Sequence, residues 1–237
     1  MQRGISGVAR PAALSLGRIA TAALVVAAAC SDSNNTAPSP VATTITANGS
    51  TNAQTGAVGT ALTQPITVTV EDQNGVLMSN ATVNWTVLSG GGSVASASST
   101  TDDSGTATVV WTLGSTVGVD SLKAALGTGT SVTFTATATP GSASAVRVTS
   151  GDPQSVAAGS ATAPLVVQVV DQFANPIPGA TVTWSVQGGG TLSATSSTTD
   201  ATGTAQVTLT TDSTPASYTV TATSGNITPV TFSITAM

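Results

Sequence analysis

The side chains that carry out most chemistry in proteins are scarce in this chain of 237 residues. It has ten acidic residues, five basic residues, one cysteine and no histidine. Serine and threonine hydroxyls are abundant, but they need a neighbouring base to act as nucleophiles, and Lys123 is the single lysine. Glu71 and Asp72 are adjacent, so on a strand they point to opposite faces and cannot form the carboxylate pair of a glycosidase. We therefore expect no catalytic residues and no enzyme.

Five aspartates invite a second kind of chemistry, the binding of a hard cation such as Ca²⁺ by carboxylates in turns. They are Asp72, Asp102, Asp103, Asp171 and Asp200. Alternatively, each aspartate bonds the backbone of its own turn, as it would before Gly105 and Gly203. The spacing contains no ligand loop and favours this second interpretation, so we expect no metal and no cofactor.

The N-terminal region has the pattern of an export signal. Arg3, Arg10 and Arg18 supply three of the five basic residues, and no acidic residue occurs among them. Residues 19–29 (IATAALVVAAA) form an apolar stretch of eleven residues, which is too short for a bilayer that needs about 20. We predict that residues 1–29 are a signal peptide and that the rest of the chain is exported.

Cys30, the only cysteine, directly follows the small residues Ala27 to Ala29. This segment resembles a bacterial lipoprotein signal, in which the cysteine becomes the lipid-modified first residue of the mature chain. An ordinary signal peptidase would cut the same bond and leave Cys30 with a free thiol, and an uncleaved anchor is a third alternative. A lone exposed thiol has no evident purpose in an exported protein. We therefore expect a lipid on Cys30 that anchors the protein to a membrane.

Removal of residues 1–29 would make the chain strongly acidic. Lys123 and Arg147 would remain beside all ten acidic residues, which gives the mature chain a formal charge of −8. Nucleic-acid binding depends on clustered Lys and Arg, so we expect none. Residues 30–40 are small, polar or proline after the cysteine, which predicts a flexible tether. The resemblance to lipoproteins implies sorting to the outer membrane, because Ser31 stands where an Asp often signals inner-membrane retention.

The remaining sequence contains an internal repeat. Equivalent segments lie 99 residues apart and, after the loss of one residue, 98 residues apart. Matching segments are 81–85 with 180–184, 90–92 with 188–190, 99–102 with 197–200, and 132–134 with 230–232. The repeat predicts two domains, residues 41–140 and residues 141–237. Residues 139–142 form a short junction with little area to couple two cores, so we expect each copy to fold independently.

Each copy has the pattern of successive β-strands. Ile66, Val68 and Val70 alternate with threonines, so one face of this segment can be buried while the other faces water. Threonine and valine dominate, Gly and Pro interrupt at close intervals, and no stretch of the mature sequence keeps a helical period. We predict an all-β fold of two tandem antiparallel β-sandwiches with about seven strands each.

The few aromatic residues divide into core and surface candidates. Four recur at equivalent repeat positions and are assigned to the cores: Trp85, Trp184, Phe134 and Phe232. Trp111 aligns with Leu209 of the second copy and is also assigned to the core, which leaves over Phe173 and Tyr218. Phe173 lies in a turn and is the better candidate for a surface contact, although a single ring is a weak platform for a glycan.

Both copies share an ordered set of motifs: an Asp turn, Ala-Thr-Val-x-Trp, a triple glycine, Thr-Asp-x-x-Gly-x-Ala and a closing Val-Thr-Phe. This order resembles the bacterial immunoglobulin-like domain of group 1, the Big-1 module of invasin- and intimin-type surface proteins. The second copy also has an Asn-Pro-x-x-Gly turn at residues 175–179, which residues 75–80 of the first copy lack.

The resemblance implies immunoglobulin-like sandwiches outside the cytoplasm. We expect a non-catalytic lipoprotein of the outer membrane or cell surface that acts as a spacer or interaction module. The alternative is an adhesin-type module that binds a glycan or a surface protein, with Phe173 as the contact residue.

Overall fold

The structure, a computed structural model, describes residues 38–237. Pro40–Met237 form one compact unit that contains both copies of the repeat. The predicted signal peptide (1–29), Cys30 and the tether up to residue 37 lie outside the described residues. Within the part that is described, no helix is long and apolar enough to cross a membrane.

The first copy folds into ten strands and one short 3-10 turn, Gly49–Thr51. The strands are β1 (Ala42–Ala47), β2 (Gln54–Ala57), β3 (Ile66–Asp72), β4 (Thr82–Ser89), β5 (Ser93–Val94), β6 (Ser98–Thr100), β7 (Thr106–Val109), β8 (Trp111–Thr112), β9 (Gly118–Leu126) and β10 (Ser131–Thr139). One sheet has the order β1-β3-β7 and the other β2-β10-β9-β4-β6, while β5 pairs with β8.

The second copy repeats this arrangement. Its strands are β11 (Ala143–Ser150), β12 (Gln154–Val156), β13 (Leu165–Asp171), β14 (Thr181–Gln187), β15 (Thr191–Leu192), β16 (Ser196–Thr198), β17 (Thr204–Val207), β18 (Leu209–Thr210), β19 (Ala216–Thr223) and β20 (Val230–Ala236). The sheets have the orders β11-β13-β17 and β12-β20-β19-β14-β16, and β15 pairs with β18. The prediction of an all-β fold with two tandem sandwiches is confirmed.

Two features differ from the simple antiparallel sandwich that the sequence predicted. First, β2 runs parallel to β10, and β12 runs parallel to β20. Second, the segment after Gly105, in which Ala107, Val109 and Trp111 are all buried, is divided at Val110, whose side chain is 41% exposed. The part before Val110, β7, pairs with β3, whereas the part after it, β8, pairs with β5. The chain therefore changes pairing partner within this segment, and each copy has ten strands rather than about seven.

Each copy buries its own core. The first core contains Trp85, Trp111 and Phe134, and the second contains Trp184, Tyr218 and Phe232, all at most 4% exposed. The rings of Trp184 and Phe232 pack with centroids 6.1 Å apart. The core assignment of the recurring aromatic residues is thus confirmed. Tyr218, left over in the sequence, also belongs to the core, because its hydroxyl accepts the N–H of Asp212 at 3.0 Å and so can be buried.

Candidate functional site: the joint between the sandwiches

Phe173, the residue that the sequence favours for a surface contact, lies in the turn that follows β13. We call this turn, residues 171–175, the joint loop. The Phe173 side chain is 42% exposed. Its Cε2 and Cζ atoms lie so close to Gly59 of the first sandwich that a Cβ at Gly59 would be 2.8 Å from both. Phe173 therefore contacts the first sandwich, while its contact with a partner stays a prediction.

Asp171 builds the joint loop from its buried position at the end of β13. Its Oδ1 accepts the N–H groups of Phe173 and Asn175, both at 2.9 Å. Its Oδ2 accepts the N–H of Gly141, in the linker between the sandwiches, at 2.9 Å. Burial alone would raise the pKa of Asp171, but the hydrogen bonds from Asn175, Gly141 and Phe173 outweigh burial and lower the pKa. The charged carboxylate thus ties the loop to the linker.

Asn175 connects the joint loop to the first sandwich by hydrogen bonds. Its side chain is 9% exposed. Its Nδ2 donates to the carbonyl of Ser115 at 2.8 Å and to Asp171 Oδ2 at 2.9 Å. Its Oδ1 accepts the N–H of Val117 at 3.4 Å. One side chain of the second sandwich therefore binds two backbone groups of the first.

The joint is consistent with separate cores but adds contacts that the sequence did not predict. The linker is short, as expected, and each sandwich has its own cluster of buried hydrophobic side chains. Beyond the linker, the contacts between them include the polar contact of Asn175 and the ring of Phe173 on Gly59. Hydrogen bonds depend on direction, so such a joint constrains orientation more than it adds hydrophobic stability.

Asp72, Asp102 and Asp200 bond the backbone of their own turns, as the local interpretation predicts. Asp72 Oδ1 accepts the N–H groups two and four residues further on, at 2.8 and 3.0 Å. Asp102 and Asp200 form the same pair of bonds. The N–H of Val76 lowers the pKa of Asp72, and the hydroxyl of Thr202 lowers that of Asp200. Among the described residues, no three acidic or cysteine side chains are grouped so that they could hold a metal ion.

The sequence of the second copy matches a known domain family. The second sandwich matches the bacterial Ig-like domain (group 1), over residues 145–235. The first sandwich has the same order of strands in both sheets. This common order supports the resemblance that the motifs of both copies carry.

A solved structure shows the same fold, and others align with the sequence of this chain. FdeC, an Escherichia coli adhesin, aligns with a TM-score of 0.58 and 21% sequence identity, over 83% of this chain and 65% of that chain. The D0-D1 domain of intimin aligns with a TM-score of 0.35 and 26% identity, over 81% of this chain and 98% of that chain. This chain thus spans slightly less than two thirds of the solved FdeC chain. No curated protein matches the sequence.

Sequence reasoning found the turn but not the residue that makes the joint. Asn175 opens the Asn-Pro-x-x-Gly turn, and the difference from the first copy at this place was the available signal. Its partners are the backbone groups of Ser115 and Val117, about 60 residues earlier in the chain. Backbone groups occur at every position, so the residue types in a sequence do not show which of them will bind a distant side chain.

Proposed function

We propose that this protein is a non-catalytic, surface-tethered spacer made of two Ig-like sandwiches and held to the outer membrane by a lipid on Cys30. The observation that carries the proposal is the joint. Neighbouring domains with small polar contacts usually move relative to one another. Hydrogen bonds from one buried side chain to two backbone groups, together with the bonded linker, favour two sandwiches that act as one extended unit.

The arrangement along the chain suits a spacer. The cleft lined by Pro40 and Asp72 marks the end of the first sandwich where the tether enters. The joint lies at the end where β10 leaves for the linker. A strand of nine residues spans about 30 Å, so two sandwiches in series reach roughly 60 Å before loops. The ten residues after Cys30 add at most about 35 Å. The far end of the second sandwich would then stand well clear of the membrane.

The anchor is tested by Cys30→Ala. We expect this variant to move from the membrane fraction to the soluble fraction, because the acidic mature chain has little other affinity for a membrane. Ser33→Ala, in the same tether, is the matched control and should stay with the membrane. Detergent partitioning and incorporation of a labelled fatty acid measure the effect. Unchanged membrane association of Cys30→Ala would rule out the lipid anchor.

An adhesin-type module is the second candidate function, and the exposed part of Phe173 favours it. If the chain is a spacer alone, the purified mature protein should show no saturable binding on arrays of glycans and surface proteins. Specific binding that Phe173→Ala abolishes would support the adhesin. Asn74→Ala, at the equivalent place in the first copy, is the control and should leave such binding intact.

A further inference from the structure

The repeat makes it possible to compare the joint with the free end of the second sandwich. In the first sandwich the N–H of Gly59 donates to the carbonyl of Gly114 at 2.8 Å. In the second sandwich the N–H of Gly159 donates to the carbonyl of Asp212 at 2.7 Å. These two equivalent bonds show which end of the second sandwich corresponds to the joint end of the first sandwich. The free end of the second sandwich therefore repeats the turn contact found where the first sandwich receives the joint loop.

The two residues of this contact, Val117 and Asn175, are replaced by other residue types at the equivalent positions of the free ends. Pro215 stands where the first copy has Val117, and a proline has no N–H to donate. Val76 stands where the second copy has Asn175, since the carbonyl of each accepts the N–H of the aspartate that begins its turn. The Val76 side chain is 60% exposed and has no polar atom. Neither free end can repeat both bonds of the Asn175 side chain to the first sandwich.

We propose that Asn175 is a positioning residue that locks the angle between the two sandwiches, and that within residues 38–237 this lock is present once, at the joint. Its amide group is almost completely buried and is satisfied by groups from both sandwiches. A rotation at the linker would separate the amide from Ser115 and Val117. A buried amide that loses its partners is costly, so rotation is resisted.

Asp171 makes the lock stiffer from within the second sandwich. Its Oδ2 accepts both the Asn175 amide and the N–H of Gly141 in the linker, each at 2.9 Å. The same carboxylate thus holds the side chain that contacts the first sandwich and the backbone about which the sandwiches would turn. The lock would give the proposed spacer its stiffness. The lock itself can be tested on the purified protein, whether or not the chain is anchored to a membrane.

The repeat itself supplies matched variants. Asn175→Val puts the first copy's residue into the joint, and Val76→Asn makes the reverse exchange at the free end. Spin labels on Thr133→Cys and Thr219→Cys, both exposed, report the distance between the sandwiches in the mature Cys30→Ala chain. We expect a narrow distance distribution for the labelled chain without a further substitution, and also for the labelled chain with Val76→Asn. In Asn175→Val the distribution should become at least twice as wide.

Val117→Pro tests the same lock from the first sandwich. It introduces the second copy's residue and removes the donor to Asn175, so it should also widen the distribution, while Pro215→Val should not. Val117→Pro provides the test if circular dichroism shows that Asn175→Val does not fold. A distribution that is already wide in the unsubstituted chain, or an unchanged width in a folded Asn175→Val or Val117→Pro protein, overturns the proposal.

Discussion

At the scale of single residues, unlike side chains perform the same task in the two copies. Asp120 and Tyr218 are equivalent and both buried. Asp120 Oδ2 accepts the N–H of Gly114 at 2.9 Å, and the Tyr218 hydroxyl accepts the N–H of the equivalent Asp212 at 3.0 Å. An acid and a phenol thus satisfy the same backbone donor. The repeat aligns Tyr218 with Asp120, but such unlike residue types do not reveal a shared role, which is why the sequence does not assign Tyr218 to the core.

Trp184→Ala tests the second core. The substitution removes the packing on Phe232 and the 2.8 Å bond from Trp184 Nε1 to Ser197 Oγ. We expect the free energy of unfolding of the second sandwich to fall by about 3 to 5 kcal/mol. Thr183→Ala, exposed on the same strand, is the control and should change it little. Calorimetry should show the unfolding transition of the second sandwich at a lower temperature and the transition of the first sandwich unchanged. A joint shift of both transitions would contradict separate cores.

At the scale of elements, the triple glycine of the first copy closes a loop against a buried carboxylate. Gly90 has a φ of +87°, and a Cβ there would collide with the side chain of Asp120. Gly91 has a φ of +72°, but a Cβ there would meet nothing within 4 Å. The two neighbours therefore share an unfavourable backbone region and differ in the space around them.

Gly90→Ala and Gly91→Ala separate these two effects. Gly91→Ala should destabilise the first sandwich by about 1 to 2 kcal/mol, the usual cost of a left-handed backbone for a residue with a Cβ. Gly90→Ala should cost about 1 to 3 kcal/mol more, because the loop or Asp120 must also move. Chemical denaturation of both variants measures the difference. Equal losses would show that Asp120 does not constrain the loop.

The sequence predicted those elements whose burial follows their own pattern. In β3 buried and partly buried residues alternate along the whole strand, as Ile66, Val68 and Val70 indicated. β2 is four residues long and contains one glycine, so its alternation is too short to read. Its parallel pairing with β10 is set by contacts far along the chain. The joint was missed for the same reason, since Asn175 is recognisable only together with backbone groups of the other copy.

At the scale of the whole molecule, the proposed function depends on parts in series: an anchor, a tether, two sandwiches and the joint between them. The anchor and most of the tether are proposed from sequence, and the joint rests on Asn175 and Asp171. Removing either sandwich should therefore shorten the reach of the protein without affecting its anchoring.

Access of an antibody to an epitope tag on intact cells tests the spacer most directly. One protein carries the tag after Met237, and the other carries it after Pro140 and lacks residues 141–237. We expect strong labelling of the full chain and labelling several-fold weaker for the shorter one, at equal amounts of membrane-bound protein. Equal labelling of the two proteins would contradict the spacer.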